Sequence, residues 1–104
     1  RGEDGLALSS RNTLLDAAHR AAAPHIYATL HAAVSKSQEM TPAQLKAWVT
    51  AEVERNPLLK VIYYQSVDAR TMQEVATWDD SPRIQGCIAV QAGDIRLIDN
   101  ICIR

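Results

Sequence analysis

The chain has 104 residues, 47% of them apolar, with 11 basic and 12 acidic side chains and a formal net charge of −1. That is one domain of ordinary size, able to bury about 65% of its unfolded surface in a single core without metals or disulfides. Balanced charge without a basic run excludes a broad nucleic-acid footprint, and no apolar run or leader pattern suggests a membrane span or secretion signal, so a soluble cytoplasmic protein is the expectation.

Residues 1–12 are polar and hold two of the four glycines, which reads as a loop. Its start without an initiator Met suggests a fragment cut from something longer. Ser9-Ser10-Arg11-Asn12 places two hydroxyls, a guanidinium and an amide in succession. Such donors suit phosphate oxygens, and a following helix would add free N–H groups and the positive end of its dipole. A solvated helix cap is the plainer reading of the same residues.

Asp16 is the expected N-cap of a first helix running from Ala17 to about Ser35, its carboxylate reaching the N–H of Ala18 or His19. The apolar stripe is Leu15, Ala18, Ala22, Ile26, Leu30, Ala33 and Val34. Pro24 removes one backbone bond and predicts a kink near Arg20. After a polar connection over 35–40, Thr41-Pro42-Ala43-Gln44 is a capping box with Pro at the first helical position. The second helix carries Leu45, Trp48, Val49, Glu52 and Val53, with Trp48 and Val49 read as core, and stops by Asn56-Pro57.

From Leu59 the period changes. Val61 to Val67 is β-branched and aromatic, hence a strand, and Asp68-Ala69-Arg70-Thr71 reads as a turn. Met72 to Asp80 is irregular, with a break at Ser81-Pro82. Two further strands, Gln85–Gln91 and Asp94–Ile103, join at a turn assigned to Ala92-Gly93. That register sets Val90 against Ile95 and Ile88 against Leu97, on a buried face continued by Ile101 and Ile103. The fold class is α+β: two helices on one face of a small, mostly antiparallel three-stranded sheet.

Other chemistry is thin. No Gly-x-Gly-x-x-Gly or Walker loop occurs. His19, His25 and His31 recur every six residues, which spreads them around a helix. Asp79-Asp80 reads as a solvated acidic pair, and Ser10 lacks the elbow of a hydrolase nucleophile. Cys87 and Cys102 read as reduced thiols, with no Cys/His spacing for a metal site. Asp99 falls on the core face, where a carboxylate must be hydrogen-bonded or paired.

Three segments, in order, resemble one family: Asp4-Gly5-Leu6-Ala7-Leu8-Ser9-Ser10-Arg11-Asn12, Arg20 through Leu30 with Ala23-Pro24 and Tyr27, and Gly93-Asp94-Ile95-Arg96-Leu97-Ile98-Asp99-Asn100. Tyr63 to Asp68 and Thr71-Met72 fit its strand and turn. The family is pantothenate synthetase (pantoate–β-alanine ligase), and residues 1–104 resemble its C-terminal lid domain. The resemblance implies a two-step ligase that adenylates pantoate with ATP and then joins it to β-alanine, with Mg2+ expected beside the ATP.

The same resemblance implies a kinship to class I aminoacyl-tRNA synthetases, with Leu8-Ser9-Ser10-Arg11 in the place of their Lys-Met-Ser-Lys-Ser loop. Leu8 stands where the family often has Met, a volume-conserving exchange. By this reading Ser9 and Ser10 bond the ATP phosphates, Arg11 neutralises the pyrophosphate leaving group, and Leu8 touches the nucleotide. The family's His-x-Gly-His motif and its pantoate and β-alanine sites belong to an N-terminal dinucleotide-type domain absent from residues 1–104. The implied consequences are an isolated chain without synthetase activity, at most weak ATP affinity, no tightly bound cofactor, and a monomer where the intact enzyme is a homodimer. A non-catalytic docking module that keeps the fold is the competing reading. A nucleic-acid binder is disfavoured by the balanced charge.

Overall fold

The computed structural model describes residues 1–104 and begins with a loop that closes in a 3-10 turn at Ser10–Leu14. Helix α1 (Ala17–Ala22) and helix α2 (Pro24–Lys36) follow, then α3 (Pro42–Val53). Strand β1 (Leu59–Asp68) leads through a second 3-10 turn, Trp78–Asp80, to β2 (Ile84–Ala92) and β3 (Ile95–Cys102). The sheet order is β1-β2-β3, antiparallel throughout, and α2 and α3 pack on one face of it. The expected α+β class holds.

The first helix is split where Pro24 stands. Asp16 Oδ1 accepts from His19 N at 2.8 Å, which starts α1 as the sequence requires. Pro24 has no N–H to give the Arg20 carbonyl, so α1 ends at Ala22 and α2 starts at Pro24. The break spoils the single apolar stripe: Ala22, Ile26, Leu30 and Ala33 are buried, whereas Ala18 faces solvent. In α3 the capping box is complete, Thr41 Oγ1 accepting from Gln44 N at 3.2 Å and Gln44 Oε1 from Thr41 N at 3.0 Å. Val49 is core, but Trp48 is only half-buried, its ring 5.7 Å from the Lys36 ammonium.

Between helices and sheet lie Leu30, Leu45, Val49, Val53, Ile84 and Ile88, all closed to solvent. Each such side chain contributes about 1.5–3 kcal/mol by leaving water. Strand β1 reaches this core through a bulge between Val61 and Tyr63, which leaves Ile62 exposed and reverses the alternation. Tyr64 therefore points inward and lies over Gly86, where an added Cβ would sit 2.7 Å from the Tyr64 hydroxyl. That hydroxyl bonds Ser66 Oγ at 3.1 Å.

The β2–β3 register differs from the expected one by two residues. The turn is Gly93-Asp94, so Ala92 faces Ile95, Val90 faces Leu97 and Ile88 faces Asp99. Gly93 has φ 64° and no such value falls on Asp94, so the left-handed residue occupies the first turn position, as a type II′ hairpin prefers. A shift of two keeps every side chain on its face, and Val90, Leu97 and Ile103 are buried as expected. Cys87 and Cys102 are free thiols, and burial pushes the Cys87 thiol up from its ordinary value.

The turn after β1 is built on Asp68, whose Oδ1 accepts from the Arg70 and Thr71 amides at 2.8 Å each. Ser81, then the Thr71 and Arg70 amides, hold its carboxyl down at about 2. A depressed carboxylate stabilises the fold above its ordinary value near 3.8 and loses that contribution as pH falls toward about 2. Asp68→Asn should therefore remove a slope in unfolding free energy between those two pH values and leave the neutral-pH slope alone. Chemical denaturation at matched pH checks this; identical slopes in the two proteins would count against the turn's role.

Candidate functional site

The candidate site lies where the N-terminal loop crosses β3. A left-handed turn sets the loop's path: Gly2 N donates to Leu6 O at 2.9 Å, Gly5 N to Gly2 O at 3.0 Å, and Gly5 has φ 84°. Any Cβ on Gly5 would stand 2.4 Å from Tyr27 Cδ2, so the chain lies directly on that ring. Asp4 holds the turn from outside, taking Leu6 N at 3.1 Å and Arg20 Nη1 at 2.7 Å. The Arg20 bond, followed by the Leu6 amide, keeps the Asp4 carboxyl below its ordinary range.

Arg1 closes the other side of the turn. Its guanidinium grips Asp99 with both nitrogens at 2.7 Å, donates to Gly5 O at 2.9 Å and Asn100 O at 3.1 Å, and stacks 3.8 Å over the Tyr27 ring. Asp99 is only 8% exposed, and this fork is the partner that its position on the core face demands. The demand is legible at Asp99 itself; the donor is not. The signal available was a lone arginine ahead of a glycine-rich turn, with no pattern to link it to a residue 98 positions away.

Beyond buried Leu6 the loop opens outward. Leu8 is 75% exposed, and Ser9, Ser10 and Arg11 are all solvent-facing. Ser9 Oγ accepts from Arg11 N at 3.1 Å as the cap of the 3-10 turn. Ser10 uses only its carbonyl, which accepts from Thr13 Oγ1 at 2.8 Å. Arg11 reaches across to β3, where Nη1 lies 3.5 Å from Arg96 O. Asn12 Nδ2 donates to Ala7 O at 2.9 Å and ties the loop's two ends together, while its buried Oδ1 has no protein partner.

One expectation is corrected here. The helix that follows the loop starts at Ala17 behind Asp16, as the sequence places it, but its N-terminal end is already capped by Asp16 and the 3-10 turn at Ser10–Leu14 comes first. Helix-dipole assistance is therefore absent from the loop, and its anion-binding capacity rests on its own hydroxyls, amides and guanidinium.

Loop and strand enclose a cavity of about 210 Å3. Leu6, Ile26 and Leu97 form its buried apolar wall, and Ser9, Arg11 and Arg96 its exposed polar one. The three histidines do not converge on it: His19 Nδ1 lies 2.7 Å from Asp16 Oδ1, His25 Nε2 lies 2.7 Å from Glu52 O, and His31 lies beside Tyr27. Asp80 of the acidic pair accepts from the Ala76 and Thr77 amides at 2.8 and 3.0 Å, a local cap far from the loop. No group of three His, Cys, Asp or Glu side chains is placed to hold a metal ion, and no helix is long and apolar enough to cross a membrane.

Comparison with known proteins gives this geometry its context. A family model described as pantoate-beta-alanine ligase matches residues 1–102. The pantothenate synthetase of Porphyromonas gingivalis is 43% identical over 101 residues, which cover 97% of this chain and 36% of that protein. That of Bacteroides thetaiotaomicron is likewise 43% identical over 101 residues, with the same coverage of 97% and 36%. The crystal structure of pantothenate synthetase from Thermus thermophilus superposes with a TM-score of 0.86 at 31% identity, over 99% of this chain and 37% of that one. The chain thus spans about a third of the length of the relatives it matches.

The Gly5 turn yields a direct test. Gly5→Ala should cost about 1–3 kcal/mol for the left-handed backbone alone, with the Tyr27 contact adding to it. Urea denaturation measures the loss; an unchanged midpoint would mean that the loop does not lie on Tyr27.

Proposed function

The chain belongs to the pantoate–β-alanine ligase family, and on that premise we propose that it is the C-terminal, nucleotide-closing domain of such a ligase. In the reaction assigned to the intact enzyme, a pantoate carboxylate oxygen attacks the α-phosphorus of ATP and pyrophosphate leaves. The amine of β-alanine then attacks the carbonyl of the pantoyl adenylate, and pantothenate and AMP are released. The observation that carries the reading is the pair Ser9 and Arg11 at the polar wall of the cavity with Arg96 beside them, Ser10 lying between the two in the same exposed run but outside the cavity lining.

Each residue has a role that its position allows. Ser10, with its hydroxyl facing solvent, donates to a phosphate oxygen, and Ser9 does so while its lone pair still caps the turn. Arg11 stabilises the charge that builds on departing pyrophosphate, acting electrostatically without proton transfer. Leu8, bare of protein contacts over most of its surface, covers the nucleotide's apolar parts. The cavity is smaller than the roughly 300–1,000 Å3 typical of small-molecule sites, which supports a cleft completed by a second domain. That domain is assigned the pantoate and β-alanine sites and the homodimer contact, and the cytoplasm is the setting we assign to the enzyme.

Mg2+ fits this part of the cleft poorly. Both oxygens of Asp99, the carboxylate lining the cavity, are committed to Arg1. No step here is routed through a metal; an ion accompanying ATP would be held by the phosphates and by groups outside residues 1–104.

In the intact ligase, Arg11→Ala should slow adenylation by about 100–1,000-fold, as loss of one oriented donor does elsewhere, with little change in thermal stability. ATP–pyrophosphate exchange measures it, and an undiminished rate would remove Arg11 from the mechanism. The isolated chain should show no turnover. Titration with ATP should move the amides of residues 5–12 only, whereas turnover by the pure chain would refute the divided cleft. A complete absence of amide shifts would favour the docking-module reading.

A further inference from the structure

We infer that Arg1 and Asp99 are positioning residues for the phosphate loop: their bidentate pair, stacked on Tyr27, fixes where Ser9, Ser10 and Arg11 stand relative to β3. The inference rests on the nucleotide-closing role proposed above and adds to it the device that aims the loop.

The loop makes few bonds for itself. Between Ala7 and Arg11 its ties to the rest of the fold are one long contact, Arg11 Nη1 to Arg96 O at 3.5 Å, and the Asn12 bond to Ala7 O at 2.9 Å that merely closes the loop on itself. Groups kept free for a ligand cannot also anchor the segment that carries them. Placement must therefore come from the loop's ends.

One end is the capped start of α1. The other is the Gly5 turn, held from outside by Asp4 and Arg20 and tied to β3 by Arg1. The fork joins both Asp99 oxygens, the same guanidinium takes the Gly5 and Asn100 carbonyls, and its flat face covers Tyr27, against which Gly5 itself is packed. Asp99 also accepts from Asn100 N at 2.7 Å, which fixes its orientation at the end of β3. Since Arg96, Leu97 and Asp99 all lie on β3 and line the cavity, the clasp references the loop to the strand that forms the opposite wall. With both carboxylate oxygens occupied by Arg1, Asp99 acts on a nucleotide through the loop and not by touching it.

The pair is bidentate, so its geometry carries information that charge alone does not. Asp99→Asn keeps size and loses the charge; Arg1→Lys keeps charge and loses the fork. Both variants should be made in the intact ligase, with Arg11→Ala beside them, and assayed by ATP–pyrophosphate exchange and by overall synthesis. For Asp99→Asn the expected result is a rise of about tenfold in the KM for ATP, with the KM for pantoate and for β-alanine within about twofold of wild type. Arg1→Lys should move the ATP KM in the same direction by a smaller factor.

An unchanged ATP KM in folded Asp99→Asn and Arg1→Lys, beside a collapsed exchange rate in Arg11→Ala, overturns the positioning role and leaves the nucleotide-closing reading intact. If all three variants behave as wild type, the reading itself falls and the inference with it. Equal rises in all three substrate KM values would mark general loosening, which also overturns the inference. Should Asp99→Asn fail to fold, Arg1→Lys decides by the same criteria.

Discussion

A carboxylate on the core face of a small sheet is costly unless a cation meets it, and the Arg1–Asp99 pair is where this fold meets that requirement. The cost of burying Asp99 alone would be several kcal/mol, so strand β3 and the N-terminal loop are bound to each other. Loop and strand are at opposite ends of the chain, and the pair spans 98 positions of sequence. Everything between them, the split helix, the capped helix and the three strands, builds the platform on which the two ends are brought together. The cavity is a consequence of that meeting, since its walls are chiefly the loop and β3, with Ile26 of α2 completing the lining.

How much of this was legible in the sequence depended on whether the signal was local. Asp16, Thr41, Pro42, Gln44 and Asp68 each act on backbone groups within a few positions, and each does what its type and spacing say. Pro24 announced a kink and produced a break, because a missing N–H has its effect four residues back whatever surrounds it. The bulge at Ile62 left no such mark. Whether Tyr63 or Tyr64 turns inward is settled by Gly86 on the neighbouring strand, which leaves room for one ring. The hairpin register failed for a related reason: both assignments put the same side chains inside, and only the position of left-handed Gly93 separates them.

The candidate site was legible in a different way. Its polar residues were visible as a run, and the family resemblance supplied roles for Leu8, Ser9, Ser10 and Arg11. Their support was not visible. The expected helix dipole is absent, replaced by a 3-10 turn capped by Ser9. The Arg1 clasp could not be read, because one arginine, one glycine turn, one tyrosine and one aspartate share no spacing rule. They are related only through the folded sheet. That Asp99 needed a partner followed from elementary electrostatics; which partner is a property of the tertiary structure.

On the nucleotide-closing role proposed for this chain, the cavity is half of a cleft, and a half-cleft has physical demands that a whole one lacks. Its ligand-facing groups must be free before the other half arrives, so they cannot contribute hydrogen bonds to their own domain. Ser10 and Arg11 fit that condition, one with a solvent-facing side chain and the other held by a single long contact. Freedom of this kind costs order, because an unanchored loop samples many positions and would lose that entropy on closing over a nucleotide. The structure limits the cost by placing strong, multidentate bonds just outside the free segment. Four donations from one guanidinium, a left-handed glycine pressed on an aromatic ring, and an Asn12 tie across the loop's base leave only residues 8–11 lightly held. Order is concentrated where no ligand comes, so that the few residues left bare can meet one with little left to fix.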